Sequence, residues 1–344
     1  MIVEKFPDRI IEINQEQHLY FGGTAYLGLP TSKEFQNLVV QNILKWGTTY
    51  GSSRTANIQL SAYIAGEKSL ARHIGSEAAV TVSSGMLAGK LVIEKLKKET
   101  DCFFHLNEIH SAIKTESSLP LFINEKLNDR LLDSKPEKIA ILTDGVPSFQ
   151  TNPVDLSFLK QIPNQKEITL VIDESHSLGI IGNNGAGIYS SINFPIKRKI
   201  LVSSLGKAFG LTGGVIASNS VFIKEISEIE TFTSAAGMNP AFVQTLSDAS
   251  EIYKTQHRKL LDNLLYIDSI LIQNKNIKFD KNYPLIYVLS NELVEKLKQE
   301  KIIIASFKYT KEAEPLNRIV ITANHLKEDL DKLVGVLNEF NSQF

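Results

Sequence analysis

Three short apolar runs in the middle of the chain constrain its fold more than any other feature. They read KIAILTD at 138–144, ITLVIDE at 168–174 and KILVSS at 199–204. Runs of this length without polar alternation are typical of strands that are buried on both faces of a parallel sheet. Segments expected to be helical, such as 153–161, separate them, which indicates βαβ crossover units. The predicted fold class is α/β, with a mostly parallel sheet flanked by helices.

The pattern changes after about Phe232. A long helical stretch over 239–274 is followed by short apolar runs and by a helix from Asn291. This mixture is expected for a smaller α+β domain. The predicted parts are an N-terminal segment with a hairpin-like piece, 1–45, a large domain, 46–232, and the smaller C-terminal domain, 233–344.

Composition excludes several classes of protein. The chain has 344 residues and a formal net charge of −1, which gives no electrostatic reason to expect nucleic acid or an anionic membrane as a partner. The single cysteine, Cys102, excludes an intrachain disulfide framework and fits a reducing compartment. Without a signal peptide or an apolar run long enough for a membrane span, we expect a cytoplasmic protein.

Lys207 follows the third apolar run, in the segment ILVSSLGKAFGLTGG at 200–214. A lysine among apolar neighbours can lose its proton and attack a carbonyl carbon, and the alternative is an ordinary surface lysine. The loop lacks the spacing of a nucleotide-binding P-loop. Hydroxyls at Ser203 and Ser204 precede the lysine and are suited to holding an anion.

Two polar side chains lie at the end of the second run and just after it. Asp173 stands at the predicted carboxyl end of a strand, where open α/β sheets bind ligands. Its carboxylate could hold a proton on a ring nitrogen, coordinate a metal or cap the next turn. His176 is ambiguous by itself, and no second histidine at metal-ligand spacing supports a zinc site.

A third element begins at Ser84, where TVSSGMLAGKL passes from a strand into a helix. The free amides at such a start bind anions, although a serine followed by glycine is also an ordinary helix cap. His110 could stack on a planar ligand or be structural. A strand-end carboxylate, a carbonyl-binding lysine and a phosphate site are together what pyridoxal 5′-phosphate (PLP) requires.

The sequence resembles the α-oxoamine synthases, a family of fold-type-I PLP-dependent transferases, over nearly its whole length. DESHSLGIIGNNGAG at 173–187 is similar to the family's D-E-A-H-S-x-G-x-x-G-x-x-G-x-G motif. SLGKAFGLTGG at 204–214 resembles its T-L-x-K-A-F-G-x-x-G-G motif, and RIVITANHLKEDLDKL at 318–333 resembles a C-terminal motif. The segment after Ser148 reads FQTN where the family has M-D-G-D.

The resemblance implies a role for each matched residue. Lys207 would bind the cofactor aldehyde, Asp173 the pyridine nitrogen, and His176 with Ser148 the phenolic oxygen, while His110 would stack on the ring. Arg318 would bind the amino-acid carboxylate. The residues implied for the phosphate are Ser84, Gly85, Met86 and Ser204 of one subunit, with Thr233 and Ser234 from its partner.

The resemblance also implies the reaction. A small amino acid would be condensed with an acyl thioester, with loss of carbon dioxide, to give an α-amino ketone. Alanine with a pimeloyl thioester, as in biotin biosynthesis, is the first expectation, and glycine with acetyl-CoA is the second. The carrier would be coenzyme A or acyl carrier protein, and the enzyme a homodimer with its site at the interface. An aminotransferase and a non-catalytic partner subunit are the alternatives.

Overall fold

The computed structural model describes residues 2–106, 109–308 and 315–341. The chain forms two compact units, Asn37–Ser250, and Met1–Gln36 together with Glu251–Phe344. The predicted boundaries differ from these. The N-terminal segment is not a separate part, because its hairpin pairs with a strand near residue 302, and the second break follows residue 250 rather than 232.

The helices and strands have the following bounds. The α-helices of the described residues are α1 (Lys33–Trp46), α2 (Ser61–Ile74), α3 (Gly85–Leu96), α4 (Asp129–Leu132), α5 (Ser220–Ser227), α6 (Glu230–Ser234), α7 (Pro240–Asp248), α8 (Ser250–Ile270), α9 (Asn291–Gln299) and α10 (Lys327–Asn341). The strands are β1 (Ile10–Ile13), β2 (Glu16–Phe21), β3 (Ala78–Val82), β4 (Cys102–His105), β5 (Leu119–Pro120), β6 (Phe122–Ile123), β7 (Lys126–Leu127), β8 (Glu137–Asp144), β9 (Lys166–Asp173), β10 (Arg198–Ser204), β11 (Gly214–Ser218), β12 (Ile277–Phe279), β13 (Leu285–Val288), β14 (Ile302–Phe307) and β15 (Leu316–Val320).

The Asn37–Ser250 unit is built on a seven-stranded sheet in the order β3-β11-β10-β9-β8-β4-β5. The pairs β10·β9, β9·β8, β8·β4 and β4·β5 are parallel, while β11 runs antiparallel to both of its neighbours. The predicted α/β fold with a mostly parallel sheet is therefore confirmed.

The apolar runs are continuous because this sheet is covered on both faces. Ala140, Leu142 and Val171 belong to a core that also contains buried residues of α3 and α5. Their strand neighbours Ile141 and Ile172 belong to a second core on the opposite face. Successive strand side chains point to opposite faces, so apolar residues occupy consecutive positions in the middle of such a strand.

The second unit contains a six-stranded sheet in the order β1-β2-β14-β15-β13-β12. The hairpin-like piece expected in the N-terminal segment is present as β1 and β2, and β2 runs parallel to β14. The other neighbouring strands of this sheet pair antiparallel. This arrangement matches the α+β character predicted for the C-terminal part, with the N-terminal hairpin added at its edge.

Two expected helices differ in the structure. The segment 153–161 contains only a 3₁₀ turn, Ser157–Gln161, because the Asp155 carboxylate accepts hydrogen bonds from both the amide and the hydroxyl of Ser157. The stretch 239–274 forms two helices, α7 and α8, separated at Ala249. Within the described ranges, no helix is both long enough and apolar enough to cross a membrane.

Candidate active site

The predicted site residues of the larger unit gather at the carboxyl edge of its sheet. Strands β8, β9 and β10 are parallel neighbours and end at Asp144, Asp173 and Ser204. In the strand register Asp144 lies opposite Asp173, and Val202 lies opposite Asp173 on the other side. This is the edge at which open parallel sheets bind ligands.

Asp173 is a buried carboxylate whose partners favour its charged form. The Ser175 amide donates to its Oδ1 at 2.9 Å, and His110 Nδ1 lies 3.5 Å from its Oδ2. Burial alone would raise the pKa of Asp173, but the hydrogen bonds from His110 and Ser175 and the charge of Lys207 lower it below its ordinary value. A buried anion at this position can hold a protonated ring nitrogen.

His110 stands beside that carboxylate with about half of its side chain exposed. The hydrogen bond with Asp173 raises the pKa of His110. Its backbone amide donates to Asp144 Oδ1 at 3.2 Å, and the Ala112 amide donates to its Nδ1 at 3.3 Å. A flat, half-exposed ring that is fixed at its backbone fits the predicted stacking role.

Lys207 and His176 are in direct contact, with 2.8 Å between Lys207 Nζ and His176 Nε2. The ring nitrogen accepts a hydrogen bond from the amine when the histidine is in the tautomer with a free Nε2 lone pair. The two residues come from turns after β10 and β9, which are adjacent in the sheet. The structure thus brings together the two groups that sequence analysis assigned to the cofactor aldehyde and to its phenolic oxygen.

The start of α3 forms an anion cradle with the end of β10. The Ser84 hydroxyl accepts from the Leu87 amide at 3.1 Å, and the Ser84 carbonyl accepts from the Ala88 amide. The first amides of a helix have no partner within the helix itself, so those of Gly85 and Met86 are suited to binding an anion. A Cβ atom on Gly85 would lie 2.8 Å from Ser204 Cα, so glycine permits the close approach of α3 to Ser204.

Ser175 and Asp144 also belong to the site, although neither was among the residues predicted from the sequence. The Ser175 hydroxyl accepts from the Ser204 amide at 2.8 Å while its own amide donates to Asp173, so it connects the carboxylate with the anion cradle. Burial and the neighbouring charge of Asp173 raise the pKa of Asp144 to about 7. The available signal was position, since Ser175 lies between two predicted residues and Asp144 ends an apolar run.

Glu174 explains the glycine-rich part of the motif at 173–187. Its buried carboxylate accepts from the Ser177 hydroxyl and from the amides of Ile188 and Tyr189, each at 2.8 Å. Burial raises its pKa to about 7 despite these donors. The glutamate therefore holds the loop after the site against the turn that carries His176.

The remaining predicted residues of this unit lie on loops and on a short helix. Ser148 follows β8 in a turn where the Gln150 amide donates to the Pro147 carbonyl, with Phe149 at a φ of 60°. Thr233 and Ser234 end α6, and the Thr233 carbonyl accepts from the Ser53 hydroxyl at 2.7 Å. Their roles toward the phenolic oxygen and toward a partner subunit's phosphate stay predictions.

Arg318 belongs to the second unit, on β15. Its Nε atom is buried and has no hydrogen-bond partner within the described part of the chain. The Phe307 ring lies beside it, with the Arg318 Cζ atom 5.0 Å from the ring centroid. A buried donor without an acceptor is rare and is consistent with an anionic ligand such as a carboxylate.

These residues fit PLP. The cofactor has a ring nitrogen, a phosphate and an aldehyde, and the unit offers a buried carboxylate, free helix amides with a nearby hydroxyl, and a lysine amine. The tight approach of Gly85 to Ser204 is the observation that most favours a phosphate, because a side chain at Gly85 would collide with Ser204 and separate the two parts of the cradle. Within the described residues, no cluster of three His, Cys, Asp or Glu side chains is arranged to hold a metal ion.

The chain belongs to the aminotransferase class I and II family, whose model matches residues 124–337. It is also similar to 8-amino-7-oxononanoate synthase of Petrotoga mobilis, at 27% identity over 93% of this chain and 88% of that protein. These similarities confirm the predicted resemblance to the α-oxoamine synthases.

Solved structures confirm the fold. A serine palmitoyltransferase from S. paucimobilis matches with a TM-score of 0.81 and 17% identity, covering 99% of this chain and 92% of that one. The 8-amino-7-oxononanoate synthase from Francisella tularensis matches with a TM-score of 0.70 and 21% identity, covering 95% of this chain and 98% of that one. The fold is that of the fold-type-I PLP-dependent transferases.

Proposed function

We propose that this chain is a PLP-dependent α-oxoamine synthase that condenses a small amino acid with an acyl thioester. The observation that carries the proposal is the convergence of Lys207, Asp173 and the Gly85–Ser204 cradle at one edge of one sheet. No single residue of this group specifies the cofactor, but together they offer a partner to each of its three polar ends.

When bound, PLP supplies an electron-withdrawing ring that stabilises negative charge on the amino-acid Cα atom. Asp173 would keep the proton on the ring nitrogen, and Ser204 with the amides of Gly85 and Met86 would hold the phosphate. Lys207 would hold the aldehyde and then remove the Cα proton as general base. His176, 2.8 Å from Lys207 Nζ, is placed to orient that amine.

Arg318 would receive the amino-acid carboxylate. A guanidinium binds a carboxylate through two parallel hydrogen bonds, which fixes both the position and the orientation of the ligand. The buried Nε without a partner among the described residues supports this assignment, because it leaves a donor ready for the carboxylate.

Alanine and a pimeloyl thioester are the substrates that we propose first, with glycine and acetyl-CoA second. The first choice is supported by the similarity to relatives named 8-amino-7-oxononanoate synthase, and it would place the reaction in biotin biosynthesis. The carrier of the acyl group would be coenzyme A or acyl carrier protein.

An assay of the cofactor-loaded protein with each amino acid and a panel of acyl thioesters tests this function. Free thiol and carbon dioxide should appear in equal amounts with one pair of substrates. Transfer of the amino group to 2-oxoglutarate without thiol release would instead identify an aminotransferase. Failure to bind the cofactor at all would favour a non-catalytic partner subunit.

We also propose a homodimer with the site at its interface. Val40, Leu44 and Ile64 are 54%, 82% and 65% exposed in the single chain. Exposed apolar side chains of this kind are candidates for burial against a second copy. Sedimentation of the purified protein at micromolar concentration should give the mass of two chains, and a monomer under all conditions would contradict this part.

The cytoplasm is the location that we propose, in keeping with the single free cysteine, Cys102. Cell fractionation that finds the protein in another compartment would contradict the proposal.

A further inference from the structure

Arg318 lies inside the six-stranded sheet rather than at its edge. On β15 it is paired with Tyr287 of β13 on one side and with Ala305 of β14 on the other. The flanking strands fix its backbone, so the direction of its guanidinium depends on what the side chain contacts. A long side chain with several rotatable bonds loses much conformational freedom when it is held in one direction.

Phe307 is placed to hold that side chain. It ends β14 and lies opposite Leu316 in the register, two residues before Arg318 on β15. Directly opposed residues and residues two apart on a strand share one face, so Phe307 and Arg318 project from the same face of the sheet. The distance of 5.0 Å between the Arg318 Cζ atom and the ring centroid is within the range of a cation–π contact.

An aromatic ring has a particular advantage as the neighbour of an anion-binding arginine. A glutamate or aspartate at this position would also attract the guanidinium, but it would occupy the N–H donors and repel an incoming carboxylate. The π face attracts the cation without accepting all of its in-plane hydrogen bonds. The buried Nε without a partner among the described residues agrees with a guanidinium on which this donor is kept open.

We propose that Phe307 is a positioning residue that holds the Arg318 guanidinium ready for the carboxylate of the amino-acid substrate. The proposal rests on the proposed function, since it assigns to Arg318 the carboxylate-binding role. It also specifies the ligand class further: the ligand carries a free carboxylate beside its amine, and neutral amides or esters of the same amino acid gain nothing from the pair.

The test compares two ligands that differ only in that charge. The cofactor-loaded protein is titrated with L-alanine and with L-alaninamide, and the change in cofactor absorbance gives the apparent Kd of each. In Phe307→Met the ring is replaced by an apolar side chain of similar length. We expect the Kd for alanine to rise about 3- to 30-fold, with the Kd for alaninamide unchanged within about twofold.

Two further variants separate positioning from general damage. Phe307→Tyr keeps the π face and should bind alanine within about twofold of the parent protein. Phe279→Met changes a partly buried phenylalanine on β12 of the same sheet and should leave both titrations unchanged. Thermal unfolding identifies any variant that does not fold, and Phe307→Leu replaces Phe307→Met in that case.

The outcomes are distinct. A selective loss of alanine binding that Phe307→Tyr restores supports the proposal. Unchanged alanine binding in Phe307→Met, an equal loss for both ligands, or a parent protein that does not distinguish alanine from alaninamide overturns it. The synthase assignment fails separately, when the parent protein distinguishes the two ligands but releases no thiol from any acyl thioester.

Discussion

One atom at the site, His110 Nδ1, has two competing hydrogen-bond partners. His110 Nδ1 accepts from the Ala112 amide and also lies 3.5 Å from Asp173. A neutral ring with a lone pair on Nδ1 can accept from the amide, whereas a protonated ring can only donate, and Asp173 is then its partner. The protonation state of His110 therefore decides which contact it makes, and Asp173 favours the protonated state.

Asp144 gives the first prediction at this scale. Its folded-state pKa is raised from 3.8 to about 7 by burial and by Asp173. The stability associated with the protonated group is complete below pH 3.8 and is lost as pH rises through about 7. In the cofactor-free protein, Asp144→Asn should therefore increase the free energy of unfolding at pH 8 by on the order of 1–3 kcal/mol.

Denaturant unfolding of both proteins between pH 5 and pH 8 checks this prediction. The gain from Asp144→Asn should shrink as the pH falls, because the native aspartate becomes neutral as well. An asparagine can still accept the hydrogen bond from the His110 amide, so loss of that bond does not complicate the comparison. A difference between the proteins that is the same at every pH would contradict the account.

At the scale of elements, the site depends on how closely α3 approaches β10. An alanine Cβ at Gly85 would lie 2.8 Å from Ser204 Cα, which is shorter than real contacts of this kind. Gly85→Ala should move the start of α3 away from β10, and we expect the affinity for PLP to fall at least about tenfold because the phosphate loses aligned amides. Fluorescence titration with PLP measures the change.

Gly335→Ala is the matched control for that variant. Gly335 lies within α10, and a Cβ there would meet nothing within 4 Å. Alanine in a helix interior stabilises by roughly 0.5–1 kcal/mol relative to glycine and should leave PLP affinity unchanged. Equal affinity in the two variants would show that the approach of α3 to Ser204 does not shape the phosphate site.

The second unit contains a pH-sensitive connection between elements. His325 Nδ1 accepts from the Thr322 amide at 2.9 Å, and its Nε2 lies 3.0 Å from the Tyr20 carbonyl of β2. The ring stacks on Phe21 with centroids 4.2 Å apart. The hydrogen bond accepted by Nδ1 requires the neutral ring, and burial lowers the pKa of His325 below its ordinary 6.5.

Because burial lowers the pKa of His325, the free energy of unfolding should decrease as the pH falls. The contribution of His325 to stability is complete above pH 6.5 and is lost as the pH falls toward the lower folded-state pKa. His325→Gln should be less stable at pH 8 by about 1–2 kcal/mol, through the lost ring contact and one weaker hydrogen bond. Its free energy of unfolding should then fall less than that of the parent between pH 7 and pH 5, and an equal fall in both would contradict the assignment.

At the scale of the whole molecule, local sequence patterns predicted the buried strands. They did not predict which distant segments pair with each other. The apolar runs that end at Asp144, Asp173 and Ser204 identified buried parallel strands because both faces of the sheet are covered. The N-terminal segment was expected as a separate part, whereas the pairing of β2 with β14 joins it to segments far away in the sequence. No local pattern records which strand a hairpin edge will join.

At the candidate site, too, local patterns predicted some residues, while others depend on contacts that form only in the folded chain. Lys207, Asp173 and His176 were predicted because each follows an apolar run or a recognisable motif. Asp144 was missed because a carboxylate after a strand is more often a turn residue, and its significance depends on Asp173 in the neighbouring strand. Ser175 was missed because its hydroxyl acts on the Ser204 amide, a contact that exists only in the folded chain.

The central claim is that Lys207 holds the aldehyde of PLP, and one chemical measurement tests it most directly. The PLP-loaded protein is treated with borohydride, which makes the lysine–cofactor bond permanent, and the modified peptide is located by mass spectrometry. We predict a single phosphopyridoxyl group on Lys207, and none on the same peptide of Lys207→Ala. Modification at other lysines in preference to Lys207, or no stable modification, would contradict the account.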